Sequence, residues 1–237
     1  MEYYDKLSAE QENSFFEGLA RKRIPFTLYL KGGRVEKNVR LKGKNGRYLH
    51  LSTGRKVDLG KDVAAISIRG SWAKSAKALL GKLSEPQNKR VDLYPFGKKK
   101  EAYKFLNSSP YTFFVENRGT LLVIPKISLV AFTFSGYPDF LIEEGAPTQQ
   151  VVGGSWREDW KELGKLLRKE LKKGRNQVVL YLKDGREVRG TLCPKSFFRG
   201  DFFLKLYTKT EDGKTKYIQV FKHAVEDYDL TEEEPEN

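Results

Sequence analysis

The stretch FFEGLARKRIPFTLYLKGG, residues 15–33, decides how the rest of the chain is read. Phe15, Phe16 and Leu19 recur at helical spacing, so one face of a short helix is apolar. Arg21, Lys22 and Arg23 follow as a basic run. The helix is expected to end near Arg23, stopped by Pro25, because the residue before a proline is pushed out of the α region. Phe26, Leu28 and Leu30 then alternate with Thr27, Tyr29 and Lys31, the period of a half-buried strand, and Gly32 with Gly33 supplies the turn. Upstream, Ser8 and Gln11 have the spacing of a capping box that opens the helix.

Working outward, Val35, Lys37, Val39 and Leu41 alternate as a second strand. Residues 48–51 and 56–59 read as a third and fourth, and residues 65–68 close the unit. One helix and about five short strands predict a small, strongly bent antiparallel barrel.

The same order recurs. Gly70-Ser71-Trp72 opens a second pass and Gly154-Ser155-Trp156 a third, which sets Leu79 opposite Leu163 and Leu83 opposite Leu167. A strand tyrosine follows the last helical leucine in each pass, as Leu19 with Tyr29, Leu83 with Tyr94 and Leu171 with Tyr181. Gly32, Gly97 or Gly185 lies just beyond it. An aromatic opens each third strand (Tyr48, Tyr111, Phe202), and the closing strands read AAISI, SLVAF and HAVEDY. Three passes in 237 residues average 79 each, a normal size for one small barrel with its helix. The passes are assigned to residues 1–70, 71–134 and 155–230, the middle one being divergent. Pro95 inside its first strand implies an edge position or a bulge. A glycine- and proline-bearing linker spans 135–154, and an acidic tail, 231–237, reads by default as a solvated end.

Lys and Arg exceed Asp and Glu by 44 − 31 = 13. Such an excess argues for a polyanionic partner, nucleic acid before membrane. A single cysteine, Cys193, excludes a disulfide frame and a cysteine-based zinc site. The N-terminus has no signal-peptide pattern, and the longest apolar run, residues 120–134, is too short to span a bilayer. A soluble, cytoplasmic protein is expected. The two histidines, His50 and His223, fall in different passes, and no catalytic triad spacing, metal-ligand set or phosphate loop is present. Neither enzymatic activity nor a cofactor nor a metal is expected.

The opening stretch, and Val220-Phe221-Lys222-His223-Ala224-Val225 near the end, resemble Hfq of the Sm-like (LSm) RNA-binding family. The resemblance implies a mainly β chain of three tandem Sm-like bent barrels, each preceded by an α-helix. It implies that Lys222 neutralises phosphate, that His223 hydrogen-bonds ribose or base, and that Phe202 stacks on a base, with Phe221 beside them. Single strands are held by such aromatic faces with nearby cations. Tyr48 and Tyr111 are the matching aromatics of the first two passes, and Lys61 and Lys126 lie at the place of the Lys-His pair. Asp62 beside Lys61 repels phosphate, and Glu12 stands where the family usually has Gln, so at least one pocket is expected to have weakened or changed its ligand.

Arg21, Lys22 and Arg23 match the family's basic rim, to which the third helix adds Arg168 and Lys169. Tyr29, Tyr94 and Tyr181 match a strand tyrosine that reads purine-rich RNA, and serve equally for packing between barrels. The implied function is an RNA chaperone that holds U-rich or A-rich single strands and assists their pairing or turnover. A structural protein docked on ribosomal RNA or a ribonucleoprotein is the alternative. Since the family completes each barrel edge with the next subunit's edge, a dimer closing a pseudo-hexameric, six-barrel ring is expected.

Overall fold

The computed structural model describes residues 7–81, 89–134, 136, 142–143, 158–173, 176–193 and 203–231, less the side chains of residues 142–143, 158–162, 170 and 231. The chain divides into two units, Met1–Arg90 with Tyr103–Ser128, and Val91–Ala102 with Leu129–Asn237. The division falls inside the middle pass. Leu83, Trp156, Phe202, residues 232–237 and most of the 135–154 linker lie outside the described residues.

In the first unit, α1 (Ala9–Arg21) opens at the expected capping box. The Gln11 amide donates to Ser8 Oγ at 3.2 Å, and the Ser8 amide donates to Gln11 Oε1 at 2.8 Å. The helix ends near Arg23 as the sequence reading has it, but by another device than Pro25. The amide of Arg23 donates to the Ala20 carbonyl and that of Ile24 to the Leu19 carbonyl, each at 3.0 Å. Arg23 takes φ 50°, the left-handed conformation that reverses the chain in a Schellman cap. The helix is therefore closed before Pro25, which acts only on the entry to the next strand.

β1 (Phe26–Leu30) follows, but the single second strand expected next is two, β2 (Val35–Val39) and β3 (Leu41–Asn45). Asn38 at φ 55° and a register shift between Phe26 and Leu28 bend the chain there. β4 (Tyr48–Leu51) and β5 (Lys56–Asp58) come next, β5 one residue shorter than the alternation suggested, then β6 (Val63–Ile68). β6 pairs β1, β1 pairs β2, β3 pairs β4 and β4 pairs β5, all antiparallel. Among the described residues no pairing closes these strands into a barrel.

The apolar face of α1 is fully buried through Phe15, Phe16 and Leu19. Each such side chain contributes about 1.5–3 kcal/mol relative to exposure. Phe15 meets Phe114 edge-on at 5.0 Å, which ties the first pass to the middle one. α2 (Gly70–Ala78) approaches α1 so closely at Gly18 that an added Cβ would stand 2.8 Å from Leu79 Cδ2.

β7 (Arg90–Pro95) belongs mainly to the second unit and β8 (Glu101–Ser108) mainly to the first. β8 pairs β9 (Thr112–Asn117), which pairs β10 (Thr120–Pro125) through a two-residue turn with Arg118 at φ 47° and Gly119 at φ 78°. Positive φ at both central residues is the turn that matches strand twist. β10 also pairs β6, with Leu121 opposite Ile68 and Val123 opposite Ile66. A 3-10 turn, Lys126–Ser128, ends the unit.

The second unit pairs β7 with β11 (Leu129–Thr133), and the register shifts between Leu129 and Ala131, where Leu129 faces Pro95. Pro95 thus sits at an irregularity, as its missing donor requires. β12 (Ile142–Glu143) pairs β14. α3 (Glu158–Leu171) precedes β13 (Gln177–Leu182), β14 (Glu187–Leu192), β15 (Phe203–Lys209), β16 (Thr215–Phe221), a 3-10 turn at Lys222–Ala224 and β17 (Val225–Thr231). The order is β17, β13, β14, β15, β16, β11, β7. The third pass thereby sets its last strand beside its first, then second, third and fourth, whereas the first pass runs β6, β1, β2 in one sheet and β3, β4, β5 in another. β11 pairs β16 through Ala131 with Val220 and Phe132 with Gln219. So in both units the last strand of one pass borders the fourth strand of the next. Phe132 packs on Phe203 at 5.7 Å and Phe221 at 5.5 Å in the core of this unit.

The described residues are mainly antiparallel β with three short α-helices, and among them no helix is long and apolar enough to cross a membrane.

Candidate nucleic-acid interface

In the second unit, β16 runs into the 3-10 turn that carries Lys222 and His223. Phe221 is 1% exposed, so its ring belongs to the core rather than to an open surface. His223 is half-buried and stacks on that ring at 5.2 Å and 24°. Its Nε2 lies 2.9 Å from the Leu129 carbonyl. A carbonyl only accepts, so Nε2 carries a proton and the imidazole is fixed in orientation. Lys222 reaches back to α3, where a Cβ on Gly164 would lie 3.5 Å from its Nζ. Arg168 and Lys169 are exposed on the same helix. Phe202 falls outside the described residues.

A second feature of this unit escaped the sequence reading. Phe96, half-buried, lies 5.9 Å from the His223 ring and heads the turn into Gly97, Lys98, Lys99 and Lys100. That turn is held by a buried pair from the β13–β14 turn. Asp184 Oδ2 accepts from the Gly97 amide at 3.0 Å and from Arg186 Nε at 2.9 Å. Arg186 Nη2 donates to the Pro95 carbonyl at 2.6 Å and Nη1 to the Lys98 carbonyl at 3.2 Å. Asp184 and Arg186 are 4% and 6% exposed. The three lysines they frame are all exposed. The Lys183 amide bonds the Ala224 carbonyl at 2.8 Å, which brings a fourth lysine to the Lys222–Ala224 turn. A run of three lysines after Phe-Gly was the available signal, but its link to Asp184 and Arg186 spans the fold.

Tyr181 is half-buried on β13, and its hydroxyl donates to Asp229 Oδ2 at 2.7 Å. That hydrogen bond raises the phenol above its ordinary value. Tyr94 is 2% exposed, within the sheet.

In the first unit Arg21, Lys22 and Arg23 are exposed at the end of α1, as a rim requires. Tyr48 is half-buried, with Lys56 Nζ 3.9 Å over its ring and Arg47 5.2 Å away. Tyr111 stands 54% exposed just before β9. Lys61 is exposed on the β5–β6 turn, where its amide bonds Asp58 Oδ1 at 3.1 Å. Lys126 is 7% exposed, folded 5.2 Å over the Phe113 ring, so this lysine faces the interior. Tyr29 is half-buried on β1 opposite Ala65.

Glu12 is the unexpected member. Its carboxylate is buried, accepts from the Ser109 hydroxyl and from Thr112 Oγ1 at 3.3 Å, and lies 3.6 Å from Lys44 Nζ. This acid therefore joins α1 to the β8–β9 turn rather than facing outward. Among the described residues no three His, Cys, Asp or Glu side chains gather to hold a metal ion.

No family model and no curated protein matches the chain. A solved structure described as a DNA polymerase III subunit beta DnaN sliding clamp from Bartonella birtlesii LL-WM9 aligns with 94% of this chain and 48% of its own length, at 11% identity and a TM-score of 0.15. The chain thus spans about half the length of that clamp, and likeness at this level carries no argument.

Proposed function

We propose that the chain consists of three tandem Sm-like modules and binds single-stranded RNA in the manner of Hfq. The observation that carries the reading is the strand order. The third pass runs last strand, first, second, third and fourth, and the first pass follows the same path with its second strand broken into β2 and β3. Twice the last strand of a pass borders the fourth strand of its successor, β6 on β10 and β11 on β16. We take these junctions as counterparts, within one chain, of the edge completion that the family makes between subunits.

The chemistry supports single strands as the ligand. A net charge of +13 attracts phosphate, and the fixed imidazole of His223 stands beside Lys222 on the turn that resembles the family's signature. Arg21, Lys22, Arg23, Arg168 and Lys169 supply a largely sequence-independent, salt-sensitive contribution from two exposed helix ends. The pocket expected in the first pass is a poor candidate, because Glu12 already engages Ser109 and Thr112. The function proposed is to capture single-stranded transcripts and assist their pairing or turnover.

Filter binding of oligo-U, oligo-A and an RNA duplex at two salt concentrations tests it. The single strands bind more tightly than the duplex, and all affinities fall with salt. Equal binding of duplex and single strands would favour a scaffold docked on structured RNA and overturn the reading.

A further inference from the structure

We infer that the lysine-rich turn between β7 and β8 of the middle pass, with Phe96 at its head, is a binding loop for the phosphodiester chain and bases of single-stranded RNA. This rests on the RNA-binding reading above and adds a site that no resemblance suggested.

Three observations within the second unit converge on it. Lys98, Lys99 and Lys100 are consecutive and exposed, so their ammonium groups repel one another on a short loop. A loop of that kind ordinarily frays to spread its charge. Here its backbone is pinned at three points by Asp184 and Arg186, both buried, through the Gly97 amide and the Pro95 and Lys98 carbonyls. A buried ion pair is weak evidence of stabilisation in itself, because desolvation offsets much of the attraction. Holding a like-charged loop in one shape is what this pair does, and a preorganised loop loses less freedom on binding.

The ring of Phe96 provides the second element. It is half-buried beside the imidazole of His223, 5.9 Å between centroids and 36° apart. An aromatic pair edged by cations is the arrangement that accepts an unstacked base while its phosphates meet the lysines. The Lys183 amide bonds the Ala224 carbonyl next to His223, and Lys222 precedes His223 on the same turn. Asp184, which holds the loop, is itself paired with Arg186, and an exposed Glu101 follows Lys100 in sequence. A duplex offers phosphates but no exposed base face, so the ring selects single strands.

The test uses the full chain and labelled oligo-U and oligo-A. In one variant Lys98, Lys99 and Lys100 become Gln. In a control, the exposed Lys37, Lys42 and Lys104 of the first unit become Gln, the same loss of charge away from the turn. Far-UV circular dichroism confirms that both fold. The turn variant lowers the slope of log affinity against log salt by about 2, from roughly 0.7 per phosphate contact. The control changes the slope by less than half of that. Phe96→Leu, which keeps an apolar side chain, weakens both oligomers roughly tenfold. Equal slopes for the two triple variants, or unchanged binding by Phe96→Leu, would overturn the inference while leaving RNA binding intact. A wild-type chain that binds neither oligomer would overturn the RNA reading itself.

Discussion

Glu12 and Lys44 form the pair with the most at stake per atom in the first unit. Their side chains are 1% and 5% exposed, and Lys44 also donates to Asn13 while lying 5.5 Å over the Phe16 ring. Burial outweighs the attraction of Glu12 and holds the Lys44 ammonium below its ordinary value of 10.5. Removing one partner of such a pair strands the other charge, at a cost of about 3–5 kcal/mol. Lys44→Met should therefore destabilise the chain strongly in urea denaturation. Adding Glu12→Gln should restore most of the loss, because a neutral amide oxygen still accepts from Ser109 and Thr112. Costs that simply add would mean that the pair is not coupled. The pH dependence has a definite sign. A depressed folded pKa means that the fold favours neutral lysine, so wild-type stability gains relative to the double variant as pH rises from that depressed value toward 10.5.

At the scale of elements, α1 shows what residue patterns carry and what they omit. Its start was legible, since Ser8 and Gln11 cap each other as their spacing requires. Its end near Arg23 was legible as well, but it was ascribed to Pro25, whereas Arg23 at φ 50° closes it. Arginine carries no sign of left-handed backbone, so composition could not reveal the cap. Arg23→Gly tests that account, since a left-handed L-residue costs about 1–2 kcal/mol and glycine's looser unfolded chain returns part of it. Thermal melting should show a gain of up to about 1 kcal/mol, and a loss of similar size would mean that the arginine side chain contributes more than its backbone costs. The same contrast runs through the strands. Alternation located β1, the recurring strand tyrosine located β13, and Pro95 marked its own irregularity. The break at Arg40 between β2 and β3 left no trace in the alternation of Val35 to Leu41. In the candidate site, Lys222 and His223 came to notice only through the resemblance of residues 220–225 to the Hfq signature. Phe96 and the Asp184–Arg186 pair were not legible, because only the fold brings residues 95–98 to residues 184–186.

For the whole molecule, the account turns on strand edges. Each internal junction sets the last strand of a pass beside the fourth strand of the next, as β6 on β10 and β11 on β16. By that rule two strands remain over, β5, which is the fourth of the first pass when β2 and β3 are counted as one broken strand, and the last of the third, β17. Among the described residues β5 pairs only β4, and β17 pairs only β13. Open edges of this kind invite pairing with another chain. Exposed Glu226, Asp227 and Asp229 on β17 are opposite in charge to exposed Lys56 on β5. Two copies joined head to tail would complete both edges with two-fold symmetry. Light scattering behind a sizing column measures the consequence most directly. The account predicts a particle of 2 × 27.3 = 54.6 kDa, whereas a stable 27.3 kDa monomer across the concentration range would contradict it.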